Sequence, residues 1–278
     1  MIPSGFDYIA PDTLEEALVV LSSRGEDAKV LAGGHSLIPL MKMRLAAPEL
    51  LIDLRKLSNL RGIERSNGGF KIGALTTHAA VSQSDDLGVA ALAAGKIADQ
   101  QVRNRGTIGG SLVHGDSASD MPAVLLACEG SIVAQGPNAE REIAAADLFQ
   151  GFLTTSLNDN EIVTEVRMPA MEGYDYAYQK FTRRAEDWAM VGVCALVKAE
   201  GGVIEDARVA FTNMAAVPVR ATAVESALRG QSLDAIPSAS EAAAEGTDPP
   251  GDLNATPDYK RHLARVLTRR ALELATAA

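Results

Sequence analysis

Two glycine pairs hold the residues best suited to binding chemistry. Ala32, Gly33, Gly34, His35 and Ser36 form one segment, and Thr107, Ile108, Gly109, Gly110 and Ser111 form the other, about 75 positions later. Each sets paired glycines beside a hydroxyl residue. Glycine reaches positive φ and lets a ligand approach where a Cβ would otherwise stand. Consecutive backbone N–H groups in such turns form a nest for an anion. Ser36 opens a helical run, which adds the positive end of a helix. Two nests facing each other suit a pyrophosphate. The competing reading is that both segments are tight turns between packed elements. Neither matches GxGxxG or GxxxxGK[ST], so nothing here points to a Rossmann or P-loop site.

The other reactive residue types are sparse. Cys128 and Cys194 are the only cysteines and sit in apolar surroundings, as buried thiols do. An iron–sulfur cluster takes four ligands, usually thiolates, so any such cluster belongs on another chain. His78 and His262 read as helix-surface residues, and His114 lies in the second glycine segment. They show no metal-ligand spacing, no Ser/His/Asp frame is recognisable, and no metal is assigned.

These residues sit in a chain of 278, 47% hydrophobic and 22% charged, with mean hydropathy near zero. That length predicts two domains and a core large enough to need no staples. A net charge of −10 and a pI near 5.0 argue against a nucleic-acid backbone or an anionic membrane as partner. The first residues lack the basic start and long apolar run of a signal peptide, and no stretch reaches the length of a membrane span. The expectation is a cytoplasmic protein, with any membrane association coming through partners.

The elements that must position the glycine segments can be read from pattern. Thr13 caps a helix, with Glu16 at the capping-box position. A buried strand over 29–32 ends at Gly33, and a helical run follows with Ser36 as N-cap and Pro39 in its first turn. Strands are expected over 50–54 and 70–72, and a helix from Thr76–Thr77 through Val81. An Ala-rich helix over 90–102 breaks at 104–106, a turn-rich stretch covers 107–120, and an apolar helix covers 121–128. Strands at 131–135 and 161–168 follow. A second unit enters at 173–184, has strands at 191–199 and 207–213, and closes with helices near 220–228, 238–245 and 258–275. A Pro/Gly-rich loop spans 246–256.

Four stretches in this order carry a family resemblance: KVLAGGHSLIPLMKMRL (29–45), KIGALTTHAAV (71–81), NRGTIGGSLVHGDSASDMPAVLLA (104–127) and KFTRRAEDWAMVGV (180–193). The chain resembles the FAD-binding medium subunits of aerobic carbon monoxide dehydrogenase and other xanthine-oxidase-like molybdenum hydroxylases. TIGGSLxHxDxxxD (107–120) is the most specific piece, and the resemblance weakens only beyond about residue 230.

The resemblance implies an α+β chain with a two-subdomain FAD-binding fold, PCMH-type and related to vanillyl-alcohol oxidase, followed by a C-terminal antiparallel sheet with a helical bundle. It divides the chain into an FAD-binding domain over 1–173, with subdomains at about 1–56 and 57–173, and a C-terminal domain of the CO-dehydrogenase flavoprotein type over 174–278. It assigns Ala32, Gly33, Gly34, His35, Ser36 and Leu37 to one clasp on the FAD pyrophosphate, and Thr107, Ile108, Gly109, Gly110 and Ser111 to the other. Asp120 matches an acid that accepts hydrogen bonds at the adenosine end. Asp116 is a further candidate, with a solvated turn acid as the alternative.

Val163 matches an apolar position whose backbone meets flavin or adenine. Lys180 matches a lysine at the flavin pyrimidine edge, with a solvated lysine as the alternative. A cation there attracts the charge gained on reduction by about 4 kcal/mol at ~4 Å and an effective dielectric of ~20, before desolvation. Asp187 and Trp188 fall beside the isoalloxazine ring, Trp188 either stacking there or lying in the core. Ser111 stands where xanthine-dehydrogenase-type members carry Asn, which leans toward the carbon-monoxide-dehydrogenase-like branch.

The implied partners are a small subunit with two [2Fe–2S] clusters and a large subunit with the molybdenum cofactor, as a dimer of heterotrimers, with a quinone or oxygen as the electron acceptor. A rival is a self-sufficient oxidase of the vanillyl-alcohol-oxidase type with flavin tethered to His35. A chain of 278 residues leaves little room for that family's substrate domain. Two intact glycine segments argue against a flavin-free scaffold.

Overall fold

The computed structural model describes residues 2–66 and 68–277. Its first layer is a parallel sheet of β1 (Asp7–Ile9), β2 (Ala28–Leu31) and β3 (Leu50–Asp53), in the order β1-β3-β2. The central strand is buried at all four positions, as the uninterrupted apolar run of a covered parallel strand requires. Helix Leu14–Arg24 lays Ala17, Leu18 and Leu21 onto Leu50 and Ile52. Thr13 caps it by accepting from the Glu16 N–H at 3.1 Å, while the Glu16 carboxylate reaches past the cap to accept from the Asp12 N–H at 2.9 Å, in place of the reciprocal bond of a capping box.

A five-stranded antiparallel sheet follows, in the order β4-β5-β10-β6-β7. Its strands are β4 (Ile63–Ser66), β5 (Gly69–Gly73), β6 (Ser131–Gln135), β7 (Glu140–Ala144) and, after a small hairpin of β8 (Phe149–Gly151) and β9 (Thr154–Thr155), β10 (Ile162–Pro169). Helices Val89–Gly95, Ile108–His114 and Asp120–Ala127 share one core with it, built on Ile72, Ala90, Leu112, Val124, Ile132 and Val166.

The last layer is an antiparallel sheet of β11 (Asp175–Phe181), β12 (Val191–Glu200), β13 (Val203–Thr212) and β14 (Val219–Arg220), in sequence order. Val191, Val193, Ala195 and Val197 pack on the helical side with Leu263, Leu267 and Ala271 of helix Pro257–Ala275. Cys194 and Leu196, the alternate residues, join the core of the five-stranded sheet. Burial on both faces explains why β12 is apolar without alternation.

The structure corrects several spans. The helix expected over 90–102 is two helices, Val89–Gly95 and Gln100–Arg103, because Asp99 caps a new start through the Val102 N–H at 2.8 Å. The helix expected over 238–245 is a short α-turn, Ile236–Ala239, running into a 3-10 turn at Ser240–Ala244. The strand expected at 207–213 begins at Val203. His78 lies in the interior, 4% exposed, instead of on a helix surface. Among the described residues no helix is long and apolar enough to cross a membrane.

Candidate functional site

The first glycine segment leaves β2 at Leu31 and crosses Gly34 at φ +79°, a left-handed turn that favours glycine. Helix Leu37–Lys42 then begins. Ser36 occupies the N-cap position in right-handed backbone and makes no capping hydrogen bond, so its hydroxyl is not consumed locally. The N–H groups of Gly34, His35 and Ser36 have no partner among the described residues. This segment offers donors.

The second segment is built differently. Residues 107–120 contain a helix, Ile108–His114, where a turn-rich stretch was expected. Thr107 caps it by accepting from Gly110 N–H at 3.2 Å, and Gly115 ends it in left-handed backbone. The N–H groups of Ile108, Gly109 and Ser111 donate to the carbonyls of Thr76, Ala74 and Thr107 at 3.0, 2.9 and 3.0 Å. With those donors used, this segment forms no anion nest. Gly109 and Gly110 are helical and not at positive φ.

Close approach is what glycine supplies here. A Cβ on Gly33 would stand 2.4 Å from the Arg105 carbonyl oxygen and 2.8 Å from the Gly106 Cα. One on Gly109 would stand 2.6 Å from the Ala74 Cβ, and one on Gly110 only 3.6 Å from the Ala32 Cβ. The two segments therefore meet directly, the second pinned to the strap 74–78 by a Thr77–Thr107 bridge and by His78 N–H donating to Gly106 at 2.9 Å. The strap in turn hangs from β10, where Ala74 N–H donates to Thr164 at 2.9 Å beside the buried Val163. His78 packs under Gly106 with an unpartnered Nδ1. Burial, helped by His35, lowers its pKa to about 4.

The remaining candidates form a second cluster. Asp120, at the start of helix Asp120–Ala127, accepts from the Tyr178 hydroxyl at 2.5 Å and from Lys180 Nζ at 2.9 Å, with both charged side chains 4% exposed. Lys180 also donates to the Lys96 carbonyl at 3.1 Å, and Lys96 Nζ donates to the Tyr178 carbonyl at 2.8 Å. Burial pushes the Asp120 carboxyl up, opposed by Lys180 and Tyr178. Within the protein the partners of Asp120 are thus Tyr178 and Lys180, as a buried carboxylate requires a cation and a donor. Lys180 is likewise not a solvated lysine.

Asp116 accepts from the Ala118 N–H at 2.9 Å in a turn after the helix. Asp187 closes a turn by accepting from the Arg184 N–H at 3.1 Å. Trp188 is 54% exposed, so it is not a core residue. Sequence reasoning missed Tyr178, Lys96 and the interior place of His78. The alternation of Tyr178 and Lys180 within DYAYQKF put both on one face of a strand and was the available signal.

Residues 4–171 match the family model described as the FAD binding domain in molybdopterin dehydrogenase, and residues 176–275 match the CO dehydrogenase flavoprotein C-terminal domain. The chain belongs to the FAD-binding medium subunits of the molybdenum hydroxylases. It is 40% identical to the carbon monoxide dehydrogenase medium chain of Hydrogenophaga pseudoflava, over 100% of this chain and 99% of that one. It is 35% identical to the glyceraldehyde dehydrogenase medium chain of Sulfolobus acidocaldarius, over 98% and 99%. The solved carbon monoxide dehydrogenase of H. pseudoflava is similar to it with a TM-score of 0.96 at 42% identity, covering 100% of this chain and 99% of that one. This medium subunit therefore carries an FAD-binding domain in an oxidoreductase family. Its first glycine segment fits the group: the N–H groups of Gly34, His35 and Ser36 are free donors, and Gly33 lets the segment pack directly on the Arg105–Gly106 backbone.

Proposed function

We propose that this medium subunit holds FAD at the meeting of segments 32–37 and 107–111 and relays electrons from [2Fe–2S] clusters on a partner chain to an external acceptor. The observation that carries this reading is the run of three free N–H groups at Gly34, His35 and Ser36, beside the place where Gly33 lets two backbones meet. FAD, when bound, supplies the redox chemistry, passing electrons between one-electron clusters and the acceptor; the protein supplies position and charge. The N–H groups of Gly34, His35 and Ser36 and the Ser36 hydroxyl hold the diphosphate. Ala32, Leu37, Thr107, Ile108, Gly109, Gly110, Ser111 and Val163 shape the walls. Asp116, Asp120, Lys180, Asp187 and Trp188 complete the cofactor-binding set, with Lys180 supplying positive charge.

The two cysteines are buried thiols and leave the clusters to a small iron–sulfur subunit. A large molybdenum subunit completes a dimer of heterotrimers in the cytoplasm. Substrate selection belongs to that large subunit: medium chains named for carbon monoxide and for glyceraldehyde dehydrogenase are 40% and 35% identical to this one. The test is purification from the native host. A yellow chain is expected to co-elute stoichiometrically with two partners, to release its flavin on acid precipitation, and to be bleached by substrate only in the complex. A lone flavoprotein that turns over substrate unaided, or a flavin that stays with the acid precipitate, overturns the relay reading in favour of a histidyl-linked oxidase.

A further inference from the structure

Tyr178, Asp120, Lys180 and Lys96 make a closed circuit between the second subdomain and β11, each lysine side chain donating to the backbone across the seam. Two charged groups and a phenol, all nearly out of solvent, are costly to assemble for packing alone. The sheet also keeps space for the phenol. Gly192 pairs with Lys180 on the neighbouring strand, and a Cβ there would stand 2.8 Å from the Tyr178 oxygen and 2.9 Å from the Thr212 Cβ.

We propose that Tyr178 is a positioning residue for the cofactor: its hydroxyl fixes the Asp120 carboxylate against Lys180, and so sets how much of the lysine's charge is left for an anionic group beside it. The inference rests on the FAD reading above, with Lys180 at the cofactor. The titratable and charged groups around Asp120 are Tyr178 and Lys180 on β11 and Lys96 after helix Val89–Gly95; Cys194 on β12 lies near the phenol, and the facing Thr212 on β13 is uncharged. Burial and then Asp120 push the Tyr178 phenol well above its ordinary value, so it stays a donor. Burial draws Asp120 toward its neutral form, while Lys180 and the Tyr178 hydrogen bond oppose that. Losing the phenol removes one of the groups that keep the carboxylate charged, and a protonated Asp120 leaves Lys180 uncompensated.

The experiment measures the flavin midpoint potential of the FAD-loaded full chain from neutral to mildly acidic pH. Tyr178→Phe is expected to keep its flavin-to-protein ratio and to shift the potential upward, more at lower pH. Lys180→Met shifts it downward. Gly192→Ala, which crowds the hydroxyl and leaves the ion pair intact, gives a smaller upward shift and serves if Tyr178→Phe folds poorly. If Lys180→Met moves the potential while Tyr178→Phe and Gly192→Ala match the unmodified chain across pH, Tyr178 is structural only and the proposal falls while the FAD reading stands. If the full chain binds no FAD, the FAD reading fails and takes the proposal with it.

Discussion

Two seams meet in this molecule, and they are built on opposite principles. At the glycine seam, between the first sheet and the segment 105–110, backbone touches backbone because Gly33 has no side chain, and just behind it Gly109 packs as closely on Ala74. At the lysine seam, between the second subdomain and the C-terminal sheet, long polar side chains reach across and donate to carbonyls and a carboxylate. The first seam tolerates no addition, and the second tolerates no deletion. A close-packed contact fails when volume is added, while a buried ion pair fails when one partner is removed. The two seams thus respond to a change of side-chain size with opposite signs.

The largest effect is expected just behind the glycine seam, at Gly109. Gly109→Val drives a branched side chain into the Ala74 Cβ and carbonyl, 2.6 and 2.7 Å from the first added atom. The cost is on the order of 3–5 kcal/mol, with loss of FAD, read by thermal melting and flavin absorbance. A variant with ordinary melting and full flavin content would break the close-packing half of the comparison. Next is Lys180→Met, which strands Asp120 and costs about 3 kcal/mol. Adding Asp120→Leu to it is expected to recover most of that stability; if the double variant is no more stable than the single, the lysine seam is not held by its charges.

His78 comes third. Burial, aided by His35, holds its folded imidazole at about 4 against an ordinary 6.5, so the unfolded chain takes the proton first. The stability due to neutral His78 is complete above pH 6.5 and is lost as pH falls toward 4, amounting to about 3 kcal/mol at most. Denaturant melts of His78→Gln should show a flatter acid limb over that window than those of the unmodified chain. Smallest is Gly34→Ala. Its Cβ meets the movable tip of Ile38, so the left-handed backbone dominates, at about 1–2 kcal/mol. Retention of folding with weakened FAD affinity would place the donors of 34–36 in the site.

What the sequence disclosed, and what it withheld, follows the same division. The Thr13 cap and the apolar runs of β3 and β12 are local signals that the tertiary fold keeps. The strand and helix that flank the first glycine segment were legible too, from the apolar run before Gly33 and the run opened at Ser36. The second segment was not. Paired glycines argue against a helix on propensity, yet the Thr107 cap and the bond from Gly109 N–H to Ala74 hold one there. The edge strands β4 and β7 carry no apolar run to announce them, since IERS and EREIA are exposed along much of their length. The pairing of Asp120 with Lys180 depends on residues 60 positions apart, and nothing local announces it.

The placement of β12 bears on how the protein comes apart. Cys194 and Leu196 complete the same core as Val124, Leu125 and Cys128, while Val193 and Ala195, on the opposite face, anchor the helices behind. Peeling the last hundred residues away would leave the five-stranded sheet with an open, wetted flank. Two segments that separate cleanly as sequence families are therefore expected to melt as one cooperative body, without a half-folded species in which the FAD-binding half survives alone. Amide protons on β6 and β12 should then exchange at a common slow rate set by global opening.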